Sequence, residues 1–132
     1  MKPEMMSLVL VTTYTALLWI PYVLNRVIVR GIASTVGYPN NPQALAPWAE
    51  RLRLAHANAI ENLVVFAPLA LSVHILGLGT ASTMAASWLY LVSRVGHSVF
   101  YAAKVPWLRT VAFVGGWAAQ MVLVWRLIGA SS

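Results

Sequence analysis

The feature that most constrains this chain is an apolar run without a charged side chain, from Met5 to Asn25. With Val27 to Val29 it is long enough to cross a hydrocarbon core of about 30 Å as a helix. We expect it to be retained, because it is long for a signal peptide and lacks a small-residue cleavage site. Of the 132 residues, 60% are hydrophobic and 9% are charged, too few polar groups for a soluble domain. The sequence therefore predicts an integral membrane protein.

Three further apolar segments follow, separated by turn-forming residues. The stretch from Arg30 to Pro47 is rich in glycine, proline and asparagine and has no periodic apolar face, so we predict the longest loop there. The links at Gly77–Thr80 and Val105-Pro106 are short, which makes the helices on either side antiparallel neighbours. We predict an all-α fold, an integral membrane four-helix bundle forming one domain over residues 1–132. The helices are expected at about 5–29, 47–76, 80–104 and 106–128.

Basic side chains are concentrated at one side of this predicted bundle, whereas the other side carries only Lys2 and Arg126. The positive-inside rule then places both termini outside and the first and third links in the cytoplasm. Because these positive charges lie at one membrane interface, attraction to anionic lipid explains them better than nucleic acid binding does. The basic residues near those links are Arg26, Arg30, Arg51, Arg53, Lys104 and Arg109.

Two polar stripes lie on the same side, one on the second predicted helix and one on the third. Their members have helical spacing, so each stripe faces one way. Cations outnumber carboxylates in this region, and we therefore expect the ligand to be an anion. The stripes are Arg51, Asn58 and Glu61, and Arg94, His97 and Tyr101, with Arg109 opening the fourth helix.

The sequence excludes some chemistry directly. It has no cysteine, so a disulfide or a cysteine nucleophile is impossible, and any thiol must arrive with a ligand. No pair of its histidines has zinc-site spacing, and we predict no metal site.

The two stripes and their flanking residues resemble the MAPEG family, the membrane-associated proteins in eicosanoid and glutathione metabolism. The length and the four apolar segments resemble it as well, so the resemblance covers nearly the whole chain. The residues that carry it are Glu50-Arg51, Ala55 to Asn62 with Phe66 and Pro68, Arg94 to Tyr101, and Arg109-Thr110.

This resemblance implies a homotrimer that binds glutathione as cosubstrate between neighbouring subunits near the cytoplasmic face. A lipophilic small-molecule substrate would enter from the membrane lipids. The implied glutathione-binding residues are Arg26 or Arg30, Arg51, Asn58, Glu61, Arg94, His97, Tyr101 and Arg109, with Thr110 assisting by a hydrogen bond.

Glutathione suits such a site chemically. Guanidinium groups bind its two carboxylates through paired hydrogen bonds, and an acid binds its amine. A nearby cation lowers the pKa of the thiol and yields the nucleophilic thiolate. Arg109 is our candidate for that cation, helped by the helix N-terminus, and Tyr101 is the second candidate.

Several alternatives remain open at this point. Characterised eukaryotic members often have a second arginine where this chain has Leu54. Either one contact to a glutathione carboxylate is lost here, or Arg53 or Arg30 supplies that contact instead. The leading prediction is a glutathione S-transferase or lipid hydroperoxide peroxidase in a bacterial inner membrane. A second is a non-catalytic trimeric scaffold or accessory subunit held together by the stripes. A third is a site for another low-molecular-weight thiol.

Overall fold

The computed structural model describes residues 1–131, and its regular elements are all helices, which confirms the predicted fold class. Two of the helices, α1 and α2, meet at Leu18 and together form one apolar span of 34 residues. The bundle therefore has four helical segments. The helices are α1 (Pro3–Leu17), α2 (Trp19–Val36), α3 (Pro47–Ile75), α4 (Ala81–Ala102) and α5 (Pro106–Gly129).

The interruption at Leu18 has a local cause. Pro21 has no N–H to donate, and its ring crowds the carbonyl four residues earlier, at Leu17. The Leu18 N–H accordingly bonds to the carbonyl of Thr15, a tighter turn than the α-helical one. Leu18 keeps helical backbone angles, so the chain continues from α1 into α2 without leaving the helical conformation.

The first predicted helix and the loop after it differ from the structure. Helical backbone continues past position 29 to Val36, with one non-helical residue, Gly31 (φ 78°, ψ 164°), inside it. A positive φ of this kind is accessible to glycine at little cost, so the chain changes direction there and makes another turn. The predicted loop from Arg30 to Pro47 is therefore wrong at its start, and non-helical chain occupies positions 37–46.

The other helices begin where the sequence signals them. Pro47 and Pro106 each take the first position of a helix, where a missing N–H costs nothing. Thr80 caps α4 through a reciprocal pair of hydrogen bonds with Thr83. The division into one domain over residues 1–132 stays a prediction, and Ser132 lies outside the described residues.

Packing is organised around α4, which contacts α5 most extensively and also contacts α1 and α3. The apolar core lies between these helices and includes Val11, Phe66, Tyr90 and Leu123. A line of hydroxyl contacts joins α1 to α4 along the same seam. These contacts pair Glu4 with Thr83, Ser7 with the Ser87 carbonyl, and Tyr14 with Ser98.

Within residues 1–131, three helical segments are long and apolar enough to cross a membrane: Pro3–Val36, Pro47–Ile75 and Pro106–Gly129. The fourth, α4, has 22 residues and a length of about 33 Å. It buries several polar side chains, including Ser93, Arg94 and His97, which lowers its hydropathy. The chain is an integral membrane protein whose bundle places these polar groups in its interior.

Candidate functional site

One end of the bundle gathers most of the residues that the sequence singles out. The start of α3, the end of α4 and the start of α5 meet there, because the α4–α5 link is short and α3 runs antiparallel to α4. Arg51 links α3 to α4 at this junction, because its Nε donates a hydrogen bond to the Ala102 carbonyl at 2.9 Å.

A cavity of about 230 Å³ opens at this junction. Three of the predicted site residues line it, one from each helix: Arg51, Tyr101 and Arg109. Lys104 adds a fourth polar side chain to its wall. The structure thus brings a residue from each of the two stripes together with the arginine that opens α5.

Arg109 is held in this cavity by an aromatic ring. Its guanidinium carbon lies 4.8 Å from the centre of the Tyr101 ring, a cation–π contact. Because Arg109 belongs to the first turn of α5, its charge adds to that of the helix N-terminus. The Tyr101 ring is used in this contact, so its hydroxyl is the part of the residue left for a ligand.

A second cluster lies deeper, between α3 and α4. Arg94 is 2% exposed, and its Nη2 donates to Asn58 Oδ1 at 2.7 Å and to His97 Nδ1 at 3.4 Å. Its Nε and Nη1 are also buried and find no hydrogen-bond partner among residues 1–131. A guanidinium without its full set of partners is costly in an apolar interior, so this cluster needs an acceptor from outside the described chain.

His97 connects the deep cluster to the cavity. It is buried beside Arg94 on one side, and its ring lies 5.6 Å from the Tyr101 ring in an edge-on contact on the other. Helical spacing along α4 produces this order, because positions 94, 97 and 101 share one face.

Four predicted residues lie outside these two groups. Arg26 and Arg30 are on α2, where Arg30 Nε donates to the Gln43 carbonyl at 2.6 Å. Glu61 is exposed, and Thr110 is exposed with its hydroxyl bonded to the Pro106 carbonyl. Their roles, like those of the clustered residues, remain predictions.

The charges of the site are not balanced within the chain. In the described part of the chain, the one ion pair joins Arg53 to Glu50 at 2.6 Å, on the surface. Arg51, Arg94 and Arg109 therefore have no carboxylate partner within residues 1–131. No group of three or more side chains that could hold a metal ion occurs in that part of the chain either.

Sequence reasoning missed a group of residues behind Arg94. Gln120 on α5 is 4% exposed, and its Nε2 donates to the Asn62 carbonyl at 3.1 Å. Tyr90 is fully buried and stacks on Phe66. Helical spacing could have identified them. Gln120 follows Arg109 by three helical turns and Tyr90 precedes Arg94 by one, so each shares a helix face with a predicted site residue.

Comparison with known proteins gives one match. A family model described as MAPEG family matches residues 9–129. Neither a curated protein nor a solved structure matches the chain.

Proposed function

Because the chain belongs to the MAPEG family, we propose that it is a membrane-bound enzyme that activates the thiol of glutathione. The family includes glutathione-dependent transferases and peroxidases as well as non-catalytic members. The proposed reactions are conjugation of glutathione to a lipophilic electrophile and reduction of a lipid hydroperoxide.

The observation that carries this proposal is the charge of the site. Arg51, Arg94 and Arg109 come from three helices, and none has a carboxylate partner within residues 1–131. Glutathione supplies two carboxylates and a thiolate, which are the kinds of group that such cations bind. Asn58 and Tyr101 add an amide and a phenol for its remaining polar groups. Glu61 is proposed to bind its ammonium group.

Arg109 is proposed to stabilise the thiolate. A thiol near a fixed cation ionises at lower pH, and the N-terminus of α5 adds to the effect. In conjugation, the sulfur then bonds to the electrophilic carbon and either displaces a leaving group from it or adds to a double bond, whose other end takes up a proton. In reduction, the thiolate bonds to the terminal oxygen of the hydroperoxide as the O–O bond breaks, which gives a sulfenic acid and an alkoxide that takes up a proton to become the alcohol. A second thiol then converts the sulfenic acid to a disulfide and water.

We propose a homotrimer in which neighbouring subunits complete the site, in contact with membrane lipids. MAPEG proteins are generally trimeric, and Arg26, Arg30 and Glu61 lie apart from the site in a single chain. The proposed location is a bacterial inner membrane, crossed four times, with both termini outside and the site facing the cytoplasm.

The alternative is a non-catalytic trimeric scaffold, and Leu54 supports it. This residue stands where a carboxylate-binding arginine is common in the family, and it is 42% exposed at the surface of α3. The site would then hold subunits together instead of binding a thiol. A different low-molecular-weight thiol is a further possibility that the same cations permit.

The test is an ultraviolet difference titration of purified protein with glutathione near neutral pH. We expect a saturable thiolate absorbance that is lost in Arg109→Ala and retained in Lys104→Ala, a cation removed from the same cavity wall. A saturable signal that survives in Arg109→Ala would reject its assignment. Absence of both signal and binding in the wild type would leave the scaffold or another thiol.

A further inference from the structure

The loop of residues 37–46 folds back along α2 and leaves a small polar cavity between itself and the helix. Two hydrogen bonds hold the loop in place: Arg30 Nε donates to the Gln43 carbonyl at 2.6 Å, and the Ala46 N–H donates to Asn25 Oδ1 at 3.0 Å. Leu45, between these two contacts, is buried. The cavity measures about 170 Å³. Its walls are therefore fixed by contacts within the chain.

Arg30 is the charged side chain in the lining of this cavity. Its Nε is used in the bond to the loop, whereas neither of its terminal nitrogens makes a hydrogen bond within residues 1–131. It also has no carboxylate partner in that part of the chain. The terminal nitrogens of a guanidinium bind phosphate oxygens through paired hydrogen bonds. Ser34 and Asn41 line the same cavity and bring a hydroxyl and an amide, which can donate to further phosphate oxygens.

The position of Arg30 along the first span puts this cavity at the level of lipid headgroups. Arg30 follows Pro3 by 27 positions of helical chain, more than the roughly 20 residues that cross a hydrocarbon core. Ile28, two positions before it, is 81% exposed. Positions two apart on a helix point in nearly opposite directions, so α2 presents an apolar side chain outward while Arg30 turns to the loop. A phosphate at this level of a membrane belongs to a phospholipid.

We propose that the cavity between α2 and the loop of residues 37–46 binds the phosphate of an anionic phospholipid, with Arg30 as its charged contact. The headgroup is anionic because the cavity lining has no carboxylate to pair with the ammonium of a zwitterionic one. This cavity shares no lining residue with the one at the junction of α3, α4 and α5, so the inference does not rest on the proposed function. It assigns Arg30 to the lipid and leaves Arg26 as the arginine of α2 for the thiol site.

The experiment measures lipid retention by the purified, assembled protein in detergent. Delipidated protein is mixed with phosphatidylglycerol or with phosphatidylcholine of the same chain length, and bound lipid is counted by native mass spectrometry. The wild type should bind phosphatidylglycerol at least about fivefold more tightly, and Arg30→Gln should lose this preference. Arg30→Lys keeps the charge without the planar fork, so binding should fall at least about threefold. Lys104→Gln, which removes a cation from the same side of the bundle, should behave like the wild type.

A second variant covers the case in which the loss of Arg30 loosens the loop. Ser34→Glu keeps Arg30 and adds a carboxylate to the cavity lining, so it should also abolish the preference, with thermal unfolding as the check that it folds. Arg30→Lys that binds like the wild type would overturn the proposal, because charge alone would then suffice. Equal losses in Arg30→Gln and Lys104→Gln would overturn it as well. So would binding of inorganic phosphate that depends on Arg30 without retention of phosphatidylglycerol, which would assign the cavity to a soluble phosphate.

Discussion

At the scale of residues, spacing predicts which side chains share a helix face but not what their distal atoms reach. Arg51 and Asn58 are separated by seven positions and differ by only about 20° in direction, and both turn toward α4. Glu61, ten positions from Arg51, is about 80° away from it and lies on the exposed surface. The bond from Arg51 to the Ala102 carbonyl depends on how α3 and α4 pack, which the spacing does not specify.

Leu54 gives a prediction at this scale. Its side chain is 42% exposed, so Leu54→Arg is expected to fold normally and to add one guanidinium contact to a glutathione carboxylate. Affinity should rise by roughly three- to tenfold, because an exposed charge pair contributes about 1 kcal/mol. Titration calorimetry would measure it, with Leu54→Gln as a polar control of similar length. Equal effects of the two substitutions would mean that no carboxylate lies near position 54.

At the scale of elements, proline and threonine mark the starts of helices, whereas glycine does not mark the end of one. Pro47, Thr80 and Pro106 act through their own backbone or side chain, so their effect is local. Gly31 permits a change of direction but does not stop a helix, and the chain resumes a helical turn after it. The sequence around that turn has no periodic apolar face, so its pattern favours a loop.

The contact between α1 and the start of α4 gives the second prediction. Glu4 is 4% exposed and accepts a hydrogen bond from the Thr83 hydroxyl at 2.6 Å. Glu4→Ala should lower the free energy of unfolding by about 1–3 kcal/mol, because a buried charged hydrogen bond is lost. Glu4→Gln, which keeps an acceptor of the same shape, should cost less. Thermal unfolding of the purified protein would compare them, and an equal loss in both would indicate that the charge, not the hydrogen bond, holds α1 in place.

At the scale of the whole molecule, contacts within a single chain explain the apolar core but not the polar side chains on the surface of the bundle. The hydropathy of the segments predicted the membrane bundle, because spanning lipid requires long apolar helices. The arrangement of subunits, by contrast, has no comparable hydropathy pattern in a single sequence. Glu61 is an exposed carboxylate beside apolar residues of α3, and it is the residue for which we propose a partner from a second chain.

Native mass spectrometry tests the trimer. We expect an assembly of three chains of 14.4 kDa each. Glu61→Ala should weaken this assembly, because the carboxylate is expected to lie between subunits. Glu50→Ala is the matched control, since it removes a carboxylate whose surface pair with Arg53 contributes at most about 1 kcal/mol. A monomeric wild type would exclude the trimer, and equal effects of both substitutions would exclude Glu61 from the interface.

The unequal lengths of the helices make bilayer thickness a variable for this protein. The span from Pro3 to Val36 has 34 residues, whereas α4 has 22 residues and measures about 33 Å. Both start at the same level, because Glu4 contacts Thr83, so α2 extends well past the end of α4. A thicker bilayer would bring the end of α2, which carries Arg26 and Arg30, closer to the lipid tails, at the cost of hydrophobic mismatch. The hydration of these two arginines thus depends on the membrane in which the protein resides.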